Sequence, residues 1–484
     1  MAARAPFRRD WARIRDAMST VPATLLRAVL LLASTLAAAA GETLLLLDDR
    51  VVERADGLRL RVGTVVKHPA NPLFGEDRAW EVRLDNGYFN LARDGTTGAY
   101  QCWYSPFIVD ELTTGTLEAR RAAVRYRSTP TREMGLCYAV SRDGLRWEKP
   151  ELGLVEFGGN RANNLVMRSV HGAGVLEDPL DPDPARRFKV FGGEQIPGRP
   201  RRFQVAFSPD GRRWSAPIVS MEIGVTGDTH NVAIWAPELG RYVGLTRRWL
   251  AGQRLVMRSE SADFTRWSPA VEVMRGDEVN QTYALTVFRH ADRYLGLLMV
   301  MNQQTDRVHC ELAWSPDTVR WHRIDPGRAL IPVSESPGAY DWGCVYAASG
   351  PVFVGDEVRL YYGASSGPHT GWRHGFLALA TLPRDRFAGY VAGGEEGVLV
   401  TRPVTLGPRG LTVNLTATGG SATMDILDES GSPVPGLRAQ WVGADGLRLE
   451  PRWESAGESA SVAGRTVRLR FRLRNATLYA VDLL

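Results

Sequence analysis

A seven-residue phrase recurs four times between residues 141 and 321. It reads SRDGLRW at 141–147 and SPDGRRW at 208–214, and degenerate copies occupy 259–267 and 315–321. The tryptophans that end the copies, Trp147, Trp214, Trp267 and Trp321, follow one another at intervals of 53 to 67 residues. A repeat of this length is typical of the blades of a β-propeller.

The phrase has the chemistry of a hairpin turn followed by an anchor. Asp-Gly favours a tight turn with positive φ between two antiparallel strands, and a tryptophan just beyond the turn can pack back onto the hairpin. A repeated hairpin cannot bury both of its own faces, so neighbouring units must stack against each other. In a propeller they stack into a closed ring.

The rest of the chain is also β-patterned and divides into five units and a tail. Alternating apolar residues with turns about every ten residues predict short antiparallel strands. We therefore predict an all-β chain, a five-bladed β-propeller followed by a C-terminal antiparallel β-sandwich. The predicted parts are an N-terminal strand segment at 41–64, the propeller at 65–392 and the sandwich at 396–484. The pattern does not show which of the two domains the N-terminal strand joins.

The first forty residues predict export. A basic stretch precedes an apolar run over residues 25–40 that ends in three alanines, which is the order of a secretory signal peptide. A membrane anchor is the alternative, although the run is short and rich in alanine for a spanning helix. We expect a secreted or periplasmic protein, cleaved near Ala40, with membrane contact only where the leader stays uncleaved.

The net charge of the chain bears on whether it binds nucleic acid. The formal net charge is +5, and residues 1–40 carry +4 of it (six Arg, two Asp), which leaves +1 for the remainder. This balance argues against a nucleic-acid partner.

The four cysteines, Cys102, Cys137, Cys310 and Cys344, lack zinc-site spacing. They form either two disulfides (102–137 and 310–344) or buried free thiols. We expect neither a metal nor a cofactor.

Acidic residues recur where each unit begins. The first strand of each propeller blade faces the central channel, so the residues that open the units line a funnel. The recurring positions are Glu76, Asp77, Glu81 and Asp85, then Glu177 and Asp178, then Asp228, then Asp277 and Glu278, then Asp341. Glycoside hydrolysis requires converging carboxylates of this kind, one protonated as acid and one ionised as base or nucleophile.

Five blades with carboxylates on their inner strands, followed by a β-sandwich, resemble the five-bladed glycoside hydrolases of families 32, 43 and 68. The repeated phrase is also similar to the sialidase Asp-box. The resemblance, over about residues 60–484, implies Glu81 as base or nucleophile, Asp178 as transition-state stabiliser and Asp228 as general acid. The Glu-Asp-Pro at 177–179 is similar to the Arg-Asp-Pro of family 32. The third-blade acid is usually Glu but is Asp228 here, and the blade-one Asn-Asp-Pro-Asn-Gly is absent.

Further residues near the unit openings suit sugar binding. Flat apolar faces for a sugar ring and hydrogen-bonding groups for its hydroxyls are the features of such sites. The candidates are Trp80, His230, Asn231, Arg247, Asn280, Gln281, Asp341 and Trp342.

Three functions follow, each with an oligo- or polysaccharide as partner. The first is an exported glycoside hydrolase, the second a non-catalytic carbohydrate-binding propeller, and the third a sialidase-like enzyme. A sialidase would have six blades, a tyrosine nucleophile and three arginines for the substrate carboxylate, whereas the sequence predicts five blades. Convergence of Glu81, Asp178 and Asp228 in one funnel would favour hydrolysis, and their separation would favour binding.

Overall fold

The computed structural model describes residues 41–454 and 463–484. The predicted export signal at 1–40 lies outside the described residues. Within them the chain is nearly all β, in several antiparallel sheets, which confirms the all-β prediction. The helical segments of this part are α1 (Glu111–Gly115) and two 3-10 helices, Glu118–Ala123 and Pro184–Arg186. None of its helices has the length and apolar character needed to cross a membrane.

The N-terminal strands serve two different parts of the molecule. They are β1 (Glu42–Leu45), β2 (Val52–Asp56), β3 (Arg59–Val62), β4 (Val66–Lys67) and β5 (Phe74–Gly75). The first three pair with C-terminal strands, whereas β4 and β5 pair with a strand at residues 375–383.

Residues 90–383 form five consecutive units of antiparallel strands, and a parallel pairing of Val308 with Cys344 joins the fourth and fifth units into one ten-stranded sheet. Unit one contains β6 (Asn90–Arg93), β7 (Tyr100–Tyr104), β8 (Phe107–Val109), β9 (Glu133–Ser141) and β10 (Leu165–Arg168). Unit two contains β11 (Val170–Glu177), β12 (Phe188–Glu194), β13 (Arg202–Ser208) and β14 (Ile218–Val219). Unit three contains β15 (Val232–Ala236), β16 (Arg241–Leu250), β17 (Gln253–Ser261) and β18 (Val271–Arg275).

Units four and five follow the same plan. Unit four contains β19 (Asn280–His290), β20 (Arg293–Asn302), β21 (Arg307–Ser315) and β22 (His322–Ile324). Unit five contains β23 (Cys344–Ala347), β24 (Val352–Val354), β25 (Glu357–Ser365) and β26 (Gly375–Pro383). In every unit the main strands neighbour each other in chain order, and β4 supplies the outer strand of unit five.

The repeated phrase forms the same turn after the third main strand of units one to four. The aspartate carboxylates of the turns, Asp143, Asp210, Asp263 and Asp317, each accept hydrogen bonds from the backbone N–H groups two and three residues later. The residue after each aspartate has positive φ, whether it is a glycine or, in the degenerate copies, Phe264 and Thr318. The third copy therefore begins at Ser261, two residues later than the sequence indicates.

The remaining strands build two six-stranded antiparallel sheets. They are β27 (Ala388–Ala392), β28 (Gly397–Thr401), β29 (Val404–Thr405), β30 (Leu411–Thr416), β31 (Ser421–Leu427), β32 (Pro433–Val442), β33 (Asp445–Leu449), β34 (Thr466–Arg474) and β35 (Ala476–Leu483). One sheet has the order β3-β27-β35-β30-β33 with β1 on β35, and the other has the order β2-β28-β34-β31-β32 with β29 on β34. The N-terminal strand segment thus belongs with the C-terminal strands.

Buried side chains connect these layers to the units. A core between the two six-stranded sheets includes Leu44, Leu399 and Phe471, while Leu45 and Ala480 pack into the core of units four and five. All four cysteines are buried free thiols, which decides between the two alternatives that the sequence leaves open.

Candidate functional site

Side chains from all five units meet in one cavity of about 320 Å³. The contributing segments are the loops flanking β6 and β8, the start of β11, the lead into β15, the β16–β17 hairpin, β19 and the β25–β26 loop. The ionisable lining residues besides tyrosines are Asp85, Arg132, His171, Asp228, Arg247, Arg254, His369 and Arg373. In a sheet protein, convergence of loops and strand ends on one concavity is the usual setting of a ligand site.

The segment that leads into β6 has an unusual backbone. Asp85 and Tyr88 have φ values of 53° and 43°, in the left-handed region that non-glycine residues seldom adopt. Surrounding contacts hold this conformation: the Arg83 and Arg373 guanidinium groups bind Asp85, and the Asn86 side chain donates to the Tyr88 hydroxyl at 2.8 Å. Strained backbone of this kind clusters at functional sites.

Asp85 lies between two arginines. Its Oδ1 is 3.0 Å from Arg83 Nε and 2.5 Å from an Arg373 guanidinium nitrogen. Burial alone would raise the pKa of this carboxyl, but the charges of Arg373 and Arg83 outweigh burial and lower its pKa. Asp85 is therefore ionised at neutral pH.

Asp228 has the same kind of surroundings. Its carboxylate is 2.6 Å from Arg201, 3.1 Å from Arg247 and 3.1 Å from His171 Nε2. Burial favours the protonated form, but Arg247, His171 and Arg201 together hold the pKa of Asp228 well below its usual value. Its side chain is 36% exposed, against 15% for Asp85, so Asp228 is the carboxylate that a ligand reaches more readily.

Neutral hydrogen-bonding groups complete the wall. Asn86 Nδ2 donates to the hydroxyls of Tyr88 and Tyr283 at 2.8 and 2.7 Å. Burial lowers the pKa of His171 and of His369, so both imidazoles are neutral at pH 7, and burial raises the pKa of Tyr88, which keeps its phenol protonated. These groups can orient sugar hydroxyls without adding charge.

Aromatic faces are also present at the cavity. Trp249 is 47% exposed, and the guanidinium group of Arg254 lies 4.2 Å from its ring centroid. Tyr126 and Phe107 line the other side, beside Arg132. An exposed indole in a polar cavity suits stacking against the apolar face of a sugar ring.

The three predicted catalytic carboxylates do not meet. Asp228 lines the cavity, but Glu81 and Asp178 are outside its lining. Glu81 is buried beside Lys149 at 2.8 Å and Tyr104 at 2.6 Å, and burial raises its pKa against the charge of Lys149. Asp178 accepts from the Tyr242 hydroxyl at 2.6 Å and lies 3.1 Å from Lys189.

Of the eight predicted sugar-binding residues, Arg247 lines the cavity and two more support it. Gln281 Oε1 accepts from Arg254 at 2.8 Å. His230 is buried beside Asn90 and Tyr88, and burial lowers its pKa to about 3.

The other five predicted sugar-binding residues do not line the cavity, and their side chains have structural partners. Trp80 donates to Asn164, and Asn231 donates to the carbonyls of Gly172, Gly227 and Thr229. Asp341 pairs with Lys67, the Trp342 ring packs under Arg307, and Asn280 lines a separate cavity.

Sequence reasoning missed most of the cavity wall. Asp85 is among the acidic residues that open unit one, but the resemblance implies Glu81 as the catalytic residue of that unit. Arg132, Arg254 and Arg373 carry no motif and come from loops or outer strand positions. A run of arginines near predicted loop ends was the available signal, and in a chain this rich in arginine it does not stand out.

Three larger cavities, of about 580, 470 and 340 Å³, are chemically plainer, and the smallest of them lies among the C-terminal strands beside Leu406 and Trp453. One of about 580 Å³ is lined by the β6–β7 hairpin and residues 351–353, and its Asp94 carboxylate is occupied by turn N–H groups. Another, of about 470 Å³, contains Asn280 and Glu311, and Glu311 is paired with Arg323 and His309. The described residues contain no cluster of three or more His, Cys, Asp or Glu that could hold a metal ion.

No family model and no curated protein matches the chain. Solved structures are similar in outline. One concerns glycoside hydrolases of the GH130 family of mannoside phosphorylases that target β-1,2 mannosidic linkages in Candida mannan; it has 14% identity and a TM-score of 0.44, over 66% of this chain and 94% of that one. A glycosyl hydrolase from Bacteroides ovatus has 12% identity and a TM-score of 0.46, over 67% and 94%.

An N-acetylgalactosamine deacetylase from F. plautii, solved with blood group B trisaccharide, has 13% identity and a TM-score of 0.45, over 68% of this chain and 97% of that one. Similarity at these identities and TM-scores carries no argument about what this chain does.

Proposed function

We propose that the five units are the blades of a five-bladed β-propeller and that the two six-stranded sheets form a β-sandwich beside it. The support is the common strand order of the units, the completion of unit five by β4, and the cavity that all five units line. Asn90 at the start of β6 adds to this. Its side chain bonds Ala173 and Val175 of unit two, His230 before β15, and Ser349 of unit five.

We further propose that the chain is an exported, carbohydrate-active enzyme, a glycoside hydrolase whose site is this cavity. One observation carries the proposal: a single concavity joins two ionised carboxylates, Asp85 and Asp228, to neutral hydrogen-bonding groups and an exposed indole. Ionised carboxylates stabilise the oxocarbenium-like charge that develops when a glycosidic bond breaks.

The environment of Asp228 favours a base or nucleophile rather than the acid that the resemblance implies. A general acid must hold its proton near neutral pH, whereas the neighbouring arginines lower the pKa of Asp228. Asp85 is less exposed than Asp228 and is paired with Arg83 and Arg373. It therefore positions these arginines and adds negative potential to the cavity. We therefore propose that Asp228 attacks the anomeric carbon, or activates the water that attacks it, while the glycosidic C–O bond breaks and the leaving oxygen takes a proton from solvent.

The test is turnover of a panel of polysaccharides by the wild type and by Asp228→Asn, read as release of reducing ends. We expect the variant to lose about 10²–10⁴-fold in rate. The matched control is Asp292→Asn, an aspartate with a 67% exposed side chain on the β19–β20 hairpin, which should behave as wild type. Full activity of Asp228→Asn would remove Asp228 from the mechanism.

An activated aryl glycoside separates the two roles of Asp228. A general acid matters less when the leaving group is good, so loss of an acid would spare the aryl glycoside. A base or nucleophile matters for both substrates, and we expect similar losses on the natural glycan and the aryl glycoside.

A non-catalytic carbohydrate-binding propeller is the second candidate. It is favoured by the separation of Glu81 and Asp178 from Asp228 and by the ionised state of both cavity carboxylates. Glycan binding by the wild type with no turnover on any substrate of the panel would establish this alternative.

A further inference from the structure

The cavity holds more positive than negative charge. Asp85 is shared by Arg83 and Arg373, and Asp228 is shared by Arg201 and Arg247. Each carboxylate thus balances one of the two arginines that contact it. Arg132 and Arg254 also line the cavity, and neither has an ion-pair partner among the described residues.

Arg254 is the strongest case. It is 6% exposed, and its charged group contacts the amide oxygen of Gln281 at 2.8 Å and the face of Trp249 at 4.2 Å. A buried guanidinium group without a countercharge is costly, because neither an amide nor an aromatic ring replaces a carboxylate or bulk water.

A second arginine lies beside it. The guanidinium carbons of Arg247 and Arg254 are 4.7 and 5.4 Å from the centroid of the same Tyr283 ring. Both also lie within 6 Å of the Trp249 ring. Two like charges around the same pair of rings repel each other in a site of low dielectric, and each lowers the cost of binding an anion between them.

The arginines also keep unused hydrogen-bond donors. The Nε atoms of Arg132, Arg247, Arg254 and Arg373 are buried and, within the described chain, have no hydrogen-bond partner. Planar forks of N–H donors match the oxygens of carboxylate, sulfate and phosphate groups. Asp85 and Asp228 therefore leave part of the positive charge and some N–H donors of the cavity unpaired. These groups can bind an oxyanion.

We propose that Arg254, with Arg247, forms a subsite for an oxyanion group carried by a glycan, so that the ligand is an acidic sugar with a carboxylate, sulfate or phosphate substituent. This specifies the substrate class of the cavity and rests on the proposed function. In the bound state the anion bridges the two guanidinium groups while Trp249 stacks against the sugar ring.

The first experiment titrates inorganic sulfate and phosphate into the protein by calorimetry. We expect binding to the wild type and at least ~30-fold weaker binding to Arg254→Gln, since removal of one partner of a buried charge pair has an effect of this size. The control is Arg266→Gln, whose side chain is 83% exposed, and it should bind as wild type. Absence of anion binding, or equal binding by Arg254→Gln, overturns the proposal.

The second experiment identifies the source of the anion. A panel pairs oligogalacturonate with its methyl ester and sulfated oligosaccharides with their desulfated forms. Preference for the charged member of a pair, lost in Arg254→Gln, supports a glycan-borne anion. Binding of free phosphate without any such preference overturns the glycan-borne assignment and leaves a site for a free anion.

Stability separates a ligand-binding role of Arg254 from a structural one. Removal of an uncompensated buried charge should leave the thermal midpoint of Arg254→Gln in anion-free buffer at or above that of wild type. A midpoint lowered by several degrees would show a structural role and contradict the proposal. If the variant does not fold, Arg254→Lys replaces it in the anion titration; it keeps the charge but loses the planar fork of donors, and it is expected to show weaker binding.

Binding is measured without turnover, so the two proposals fail separately. Anion preference without hydrolysis would remove the hydrolase and keep the subsite. Hydrolysis that proceeds equally on the charged and neutral members of each pair, in both the wild type and Arg254→Gln, would keep the hydrolase and remove the subsite.

Discussion

At the scale of single residues, the cavity carboxylates depend on arginine for their charge state. Asp85 and Asp228 are both buried enough that desolvation opposes ionisation, yet each has two guanidinium groups in contact. The same contacts neutralise guanidinium groups that would otherwise be buried without a countercharge. Carboxylates and arginines at this site therefore stabilise each other. Removing either one leaves the other as an unpaired buried charge, which is destabilising.

This dependence predicts acid sensitivity. The folded pKa values of Asp85 and Asp228 are below the unfolded value of about 3.9, so their stabilising effect is fully present above that value and is lost as pH falls toward the folded pKa values. Urea unfolding at pH 7 and at pH 3 should show a smaller loss of stability in Asp228→Asn than in the wild type. An identical loss in both proteins would contradict the assigned pKa direction.

Asp85→Asn should be strongly destabilising, because Arg83 and Arg373 are both buried and both lose their carboxylate. We expect a loss of about 3–5 kcal/mol in the free energy of unfolding, the size found when one partner of a buried ion pair is removed. Asp77→Asn is the control, since its side chain is 55% exposed and its pair with Lys149 contributes at most about 1 kcal/mol. A cost below 1 kcal/mol for Asp85→Asn would show that the arginines find other partners.

Two of the cavity residues were predictable from their place in unit three, since Asp228 lies in the polar run before its first strand and Arg247 lies on its second strand. Arg254 and Arg373 were not, since a long side chain reaches the cavity from the second hairpin or from a loop. Glu81 shows the converse: a carboxylate near a unit opening turns toward Lys149 and Tyr104 instead of the cavity. The local sequence pattern predicts the strand or loop in which a residue lies. Tertiary packing decides which groups its side chain contacts.

At the scale of elements, the repeated turn keeps its geometry while its residues change. The position after the aspartate is Gly144, Gly211, Phe264 or Thr318, and each has a φ between 64° and 76°. The hydrogen bonds of the aspartate to the two following N–H groups hold the turn even where a side chain disfavours it. The sequence was therefore sufficient to locate this element, although the degenerate third copy obscured its register.

Gly211→Ala should be more destabilising than Gly240→Ala. Both glycines have positive φ, which costs an alanine about 1–2 kcal/mol. A Cβ at Gly211 would also lie 2.5 Å from the buried ring of Trp103, whereas a Cβ at Gly240 meets nothing within 4 Å. Overpacking adds about 1–3 kcal/mol. Equal unfolding free energies of the two variants in urea would contradict tight packing between units one and two.

At the scale of the whole molecule, the chain crosses between its two bodies more than once. Strands β1–β3 join the two six-stranded sheets, β4 and β5 join unit five, and strands β27–β35 complete the two six-stranded sheets. Arg386 fixes the junction by donating to Asn414 at 2.9 Å and to Asp445 at 2.6 Å. No local pattern encodes these pairings, because strands of equal polarity and length compete for the same edges.

Removal of residues 41–62 should therefore loosen strands that lie more than 320 residues away in the sequence. Strand β1, for example, pairs with β35, with Glu42 opposite Leu483 and Leu45 opposite Ala480. The deletion also takes Leu44, Leu46 and Val52 out of the core between the two six-stranded sheets. Burial of each such side chain contributes about 1.5–3 kcal/mol.

Amide exchange in β27, β28 and β35 should accelerate by at least ~100-fold, because local opening becomes easier by about 3 kcal/mol or more. Strands β15–β18 form a sheet of their own that does not pair with the deleted strands, so their amides should keep their protection. Acceleration throughout both regions would instead mean that the two bodies unfold as one cooperative unit, and unchanged exchange in β35 would contradict the observed pairing.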